Sequence, residues 1–156
     1  MTSERIVYVV DDDVDVRRTL CLIVESAGLQ ARAFGTGEEF LDAFDPTLGA
    51  CLLVDYSLPG MNGLQVLDRV GACGAHVPAL VISGSDDPSL PSRAMDAGAW
   101  AYVPKASLSD PGVLVRGLDA ALRPKARAGA RRIDRSGAGS PAQGKRTGPV
   151  PRTLRS

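Results

Sequence analysis

Short, uninterrupted apolar runs punctuate the first 122 residues, and between them apolar positions recur at helical spacing. Arg5 to Val10 reads as a strand, apolar from Ile6 onward. Val16, Leu20, Ile23, Val24 and Ala27 then keep the rhythm of one helix face until Gly28 closes the segment. A weaker strand reads at Gln30 to Phe34, and Thr36 is placed to cap a helix in which Phe40, Leu41 and Phe44 share a face. Cys51 to Val54 is a third strand, Leu64, Val66, Leu67 and Val70 mark a helix, and Pro78 to Ser83 is a fourth strand. A helix ending near Ala97-Gly98, a strand at Trp100 to Val103 and a helix at Asp110 to Leu122 complete five βα units. Strands this apolar suit a parallel sheet covered on both faces. The pattern therefore predicts an α/β fold, a doubly wound five-stranded parallel sheet whose ligand sits beyond the carboxyl ends of the strands.

Composition narrows the class. A chain of 156 residues, 44% hydrophobic, has room for one core of ordinary size. No apolar run approaches the roughly 20 residues that cross a bilayer, and Met1-Thr2-Ser3-Glu4-Arg5 lacks the basic-then-apolar order of a secretory signal. The expectation is a cytoplasmic protein that does not engage a membrane. Cys21, Cys51 and Cys73 are odd in number and widely spaced, which suits small buried hydrophobes in a reducing compartment. Charge changes the picture more. Up to Leu122 there are 17 acids against 8 Lys and Arg; from Arg123 onward there are 10 basic residues and one acid. That second stretch has Ile133, Val150 and Leu154 as its only large aliphatics, too few to offset the entropy of ordering a chain. The expected organisation is a domain over 1–122 and a disordered basic tail over 123–156.

The strand ends carry the chemistry. The first delivers Asp11-Asp12-Asp13, the third ends in Asp55, and Lys105 follows the fifth. Mg²⁺ takes one or two carboxylates, keeps several waters and bridges to phosphate oxygens, so clustered Asp side chains suit it. A carboxylate becomes an adequate nucleophile toward phosphorus once a metal and a nearby amine neutralise the oxygens of the group being transferred. Acids packed together without a cation would repel, and at least one would tend to stay protonated. Other polar residues have plainer readings. Asp13 is placed to cap the first helix, Asp86-Asp87 suits helix-start chemistry, and His76 falls in a loop with no ligand partner nearby in sequence.

Taken together, Val9-Val10-Asp11-Asp12-Asp13, Leu53-Val54-Asp55, Leu58-Pro59-Gly60-Met61-Asn62-Gly63, Val81-Ile82-Ser83-Gly84, Ala94-Met95-Asp96-Ala97-Gly98-Ala99 and Tyr102-Val103-Pro104-Lys105 resemble the receiver domains of bacterial two-component response regulators. The wording is most similar to receivers joined to helix-turn-helix output domains. The resemblance covers nearly all of residues 4 to 122 and implies a flavodoxin-like strand order of 2-1-3-4-5. It also implies that Asp55 accepts phosphate from a sensor histidine kinase, while Asp11, Asp12, Asp55 and the backbone carbonyl of Ser57 hold Mg²⁺. Lys105 then pairs with the phosphoryl oxygens, and Ser83 and Tyr102 are the hydroxyl and aromatic of the switch. Phosphorylation adds roughly −1.5 to −2 charges and strong acceptors, enough to bias a bistable loop. The family uses the region from the fourth helix to the fifth for dimerisation, here a phosphorylation-dependent homodimer, or for partner docking.

Two positions depart from the family pattern. Ala106 stands where many receivers follow the lysine with a proline, and Pro91 falls where the fourth helix is normally under way, so that helix is expected to start late, near Pro91. Arg123 to Ser156 offers neither the length nor the periodicity of a helix-turn-helix module, which reads as a stand-alone receiver whose basic tail has some capacity for DNA. Two rivals remain. Asp11-Asp12-Asp13-Val14 also fits a haloacid-dehalogenase-type phosphohydrolase, an enzyme with Asp11 as nucleophile and Asp13 as general acid. A pseudo-receiver would bind partners without phosphorylation.

Overall fold

A computed structural model describes residues 5–123 together with Thr153 and Leu154. Five parallel strands, β1 (Ile6–Val10), β2 (Gln30–Phe34), β3 (Gly49–Asp55), β4 (Ala79–Ser83) and β5 (Ala101–Pro104), form one sheet in the order β2-β1-β3-β4-β5. The order and the parallel pairing are those expected of the flavodoxin-like class. Register sets the site: Val10 lies opposite Val54, Asp55 opposite Ile82 and Ser83 opposite Pro104. The residues just past each strand therefore gather along one edge.

Alternation along the strands splits the core in two. Val7, Val9, Leu53 and Ile82 pack with Leu20, Ile23 and Val24 of α1 (Val14–Ser26) and with Leu114 and Leu118 of α5 (Pro111–Ala121). Tyr8, Val10, Leu52, Val54 and Val81 face the other way, against α2 (Gly37–Ala43), α3 (Gly63–Ala72) and α4 (Leu90–Asp96). β1 and β4 are buried at every position, as central strands must be. β2 lies at an edge, with Gln30, Arg32 and Ala33 exposed, which is why its sequence signal is weak.

The helix starts obey local chemistry. Asp13 accepts from the amides of Asp15 and Val16 and caps α1. Thr36 caps α2, and Asn62 with Gln65 forms a reciprocal capping box on α3. α4 begins at Leu90 with Pro91 in its first turn, the late start that the proline demands. Lys105–Ser109 forms a 3₁₀ turn that the apolar pattern did not reveal. No cis peptide bond occurs among the described residues, so Lys105-Ala106 is trans.

Of the stretch expected to be a disordered tail, 124–152, 155 and 156 lie outside the described residues. Thr153 and Leu154 correct that expectation for themselves, because Thr153 bridges in parallel to Tyr102 and the Leu154 amide donates to the Tyr102 carbonyl at 2.9 Å.

Candidate functional site

The carboxyl ends of β1, β3, β4 and β5 lie along one edge of the sheet. Asp11 and Asp55 are buried, Asp12 is exposed beside them, and single carboxylate oxygens of all three lie within 4.8 Å of one another. Lys105, carried just beyond β5, reaches in from the far side. Its Nζ stands 3.5 Å from Asp55 Oδ2 and 3.7 Å from Asp11 Oδ2. Asp11 is anchored through its own Oδ1, which accepts the Asp13 amide at 2.9 Å, and through its carbonyl, which accepts from Arg17 at 2.7 Å.

Burial sets the electrostatics. Asp55 is desolvated and faces Asp11, which together push its pKa up to about 6 against the pull of Lys105 and a hydrogen bond from the Ser57 backbone. Burial also raises Asp11, opposed by the Asp13 amide and Lys105. Asp11 Oδ2 and Asp55 Oδ1 are buried without a hydrogen-bond partner. Two such oxygens, with Asp12 alongside, fit a small hard cation: they supply carboxylate ligands whose mutual repulsion the ion would relieve. Ser57 follows two residues after Asp55 in the exposed part of the β3–α3 loop.

That loop is held tightly. Gly60 takes φ +79° in the left-handed region, and a Cβ on Gly63 would stand 2.5 Å from the Asp55 carbonyl oxygen. The Gly63 amide donates to the Tyr56 carbonyl at 2.9 Å. The Gly-Met-Asn-Gly sequence thus lets α3 press against the backbone that carries Asp55. On β4, Ser83 is buried at 2% exposure and its Oγ accepts the Ser85 amide at 3.0 Å. The following loop is braced by Asp87, which accepts from Ser89 and pairs with Arg93. Asp86-Asp87 is thus turn chemistry ahead of α4 and lies outside the acidic cluster. Tyr102 is buried in the α4-side core rather than at the carboxylates.

Sequence reasoning did not single out Arg17. Its signal was its place one turn into the helix after the acids, where a long cation can return to the preceding carbonyl. Asp13 stays out of the cluster because its carboxylate serves α1, so the general acid of the phosphohydrolase reading is occupied elsewhere.

The model of the response regulator receiver domain matches residues 7–116. The chain belongs to this family. Among related proteins, the receiver is 36% identical over 104 residues to Nodulation protein W of Bradyrhizobium diazoefficiens, covering 67% of this chain and 46% of that protein. It is 37% identical over 99 residues to the transcriptional regulatory protein FixJ of Azorhizobium caulinodans, covering 64% of this chain and 47% of the relative. The receiver thus spans about half the length of the curated relatives it matches. In structure it resembles FixJ-N, with TM-score 0.68, 29% identity and coverage of 77% and 94% of the two chains. A receiver protein from Burkholderia phymatum gives TM-score 0.67 at 34% identity, covering 76% and 95%. Among the described residues no helix of the receiver is long and apolar enough to cross a membrane.

Proposed function

We propose that this receiver takes a phosphoryl group on Asp55 from the phosphohistidine of a sensor histidine kinase. The observation that carries the reading is the buried Asp55 carboxylate 3.5 Å from Lys105 Nζ, with Asp11 and Asp12 within reach of the same cation. An Asp55 oxygen attacks phosphorus in line with the departing imidazole. The O–P bond forms as the P–N bond breaks, and the imidazole leaves with its electron pair. Mg²⁺, when bound by Asp11, Asp12, Asp55 and the Ser57 carbonyl, supplies charge neutralisation at the phosphoryl oxygens. Lys105 orients those oxygens from the opposite side. Ser83 already accepts a backbone bond, so its hydroxyl proton is the one to turn toward a new phosphate. Tyr102 follows by changing its packing against α4, and the surface from α4 to α5 becomes the readout for a partner or a second copy.

In this reading the chain is a cytoplasmic signalling phosphoacceptor rather than an enzyme acting on a separate substrate. Residues 1–122 form the receiver unit, and DNA is a secondary candidate ligand for the basic stretch 123–156, of which Thr153 and Leu154 return to β5. The test is intact mass and peptide mapping after incubation with acetyl phosphate, with and without Mg²⁺, beside an Asp55→Ala sample. A Mg²⁺-dependent adduct on Asp55 supports the reading. No adduct on the unaltered chain, even with a matched kinase, makes it a pseudo-receiver. Turnover that depends on Asp11 and survives Asp55→Ala makes it a phosphohydrolase.

A further inference from the structure

The two edges of the sheet are protected differently. β2 presents Gln30 and Arg32 to solvent, the polar and charged side chains that discourage pairing with another chain. β5 carries no charge along Ala101–Pro104, and its first three residues are buried although it is an edge strand. Its outer side is taken by the chain itself. Thr153 bridges in parallel to Tyr102, and the Leu154 amide donates to the Tyr102 carbonyl at 2.9 Å. The buried Ser107 hydroxyl donates to the Leu154 carbonyl at 3.2 Å.

The side chain has a seat as well. Leu154 is partly buried against the apolar cluster that holds Leu80, Trp100, Leu114 and Leu118, and it lies over Gly117 of α5. A Cβ on Gly117 would run into Leu154 Cδ1. Glycine inside a helix is unfavourable, yet α5 keeps one at the position whose bareness admits the leucine. Backbone pairing, a serine hydroxyl on the carbonyl and a notch for one branched side chain are the elements by which an extended segment is recognised at a sheet edge.

We propose that Thr153 and Leu154 form an intramolecular strap: they add one parallel bridge to the outer edge of β5, seat Leu154 over Gly117 and tie down the 3₁₀ turn Lys105–Ser109 through Ser107. The 29 residues from 124 to 152 are ample to return the chain to its own sheet, since each extended residue spans about 3.3–3.6 Å. A ligand for the outer edge of β5 therefore has to displace this segment first. The contact does not require phosphorylation, so it stands whether or not Asp55 is a phosphoacceptor.

The strap is read out in the full chain by amide exchange at Leu154 and by the emission of Trp100, the one tryptophan of the sequence. The expected result is exchange at the Leu154 amide at least about tenfold slower than in an isolated peptide of residues 149–156. Leu154→Asp should shift Trp100 emission to the red, and Ser107→Ala should speed exchange at the Leu154 amide. Light scattering should give a monomer mass, with protection independent of concentration. Exchange at the peptide rate overturns the proposal, as does Trp100 emission unmoved by Leu154→Asp. Protection that rises with concentration alongside a dimer mass overturns the intramolecular form, because the segment then docks on a second copy.

Discussion

Asp55 is the residue on which the electrostatics concentrate, and its raised pKa has a stability consequence of definite sign. In the metal-free protein the folded pKa is about 6, above the unfolded 3.8, so the native state holds this proton more tightly than the unfolded state. Stability from that proton is fully present below pH 3.8 and is lost as pH rises toward 6. A tenfold difference in proton affinity between the two states is worth about 1.4 kcal/mol, which makes the loss at neutral pH on the order of 3 kcal/mol, shared with the neighbouring Asp11. Asp55→Asn should therefore unfold at higher temperature than the unaltered chain at pH 7 in EDTA. The gap should shrink as the buffer is taken from pH 6 to pH 4, and millimolar Mg²⁺ should narrow it at pH 7 by stabilising the unaltered chain. Thermal melts over that range decide it; a gap that stays constant with pH would mean Asp55 is not desolvated as the structure has it. Asp13 is predicted to behave differently despite being two residues from Asp11. Asp13→Ala removes the cap of α1 and should cost about 1 kcal/mol, yet leave Mg²⁺-dependent phosphate uptake in place. Loss of uptake with stability unchanged would put Asp13 in the chemistry and revive the hydrolase reading.

At the level of elements, the parts legible in the sequence were those whose signal is local. The central strands were readable because burial on both faces leaves Ile6–Val10 and Ala79–Ser83 almost wholly apolar, and α1 and α3 because one face alone is buried. The acidic site was readable for the same reason: each member sits at the end of a strand, so finding the strands aligned the residues. The 3₁₀ turn at Lys105–Ser109 was not legible, since five residues are too few for a period to show. Nor was the seat of Leu154, which depends on a serine and a glycine far away in sequence. The β3–α3 loop tests whether glycine identity matters for position rather than propensity. Gly63→Ala improves helix propensity by up to about 1 kcal/mol, but its Cβ would meet the Asp55 carbonyl, where backbone cannot yield cheaply. The clash should win by about 1–2 kcal/mol, lowering Tm by several degrees and slowing phosphate uptake, because β3 would have to move at Asp55. A Tm equal to or above that of the unaltered chain would show that the loop has slack.

Across the whole molecule, charge is divided along the chain rather than balanced locally. Through Arg123 there are 17 acids and 9 Lys and Arg, a net of −8 that the remaining residues cancel. The five strands and five α-helices found among the described residues lie within that acidic part, so a chain ending at Arg123 should still unfold in one cooperative transition. Such a chain carries its own repulsion without the compensating cations. Salt shortens the reach of exposed charges from about 10 Å at 0.1 M to about 3 Å at 1 M, and should relieve that repulsion. Raising NaCl from about 0.05 to 0.5 M is therefore expected to lift the Tm of the shortened chain by a few degrees more than that of the full chain. The comparison is best made in EDTA, so that metal binding does not add its own salt dependence. Loss of the Leu154 contact also separates the two chains, but that contact is apolar and backbone, and it offsets the melts without changing their slope against salt. Equal slopes would mean that the charges of the basic stretch do not relieve the repulsion within the receiver. A steeper slope for the shortened chain makes the two halves electrostatic partners, and a polyanion competing for the basic half should then leave the receiver with the salt response of the shortened chain.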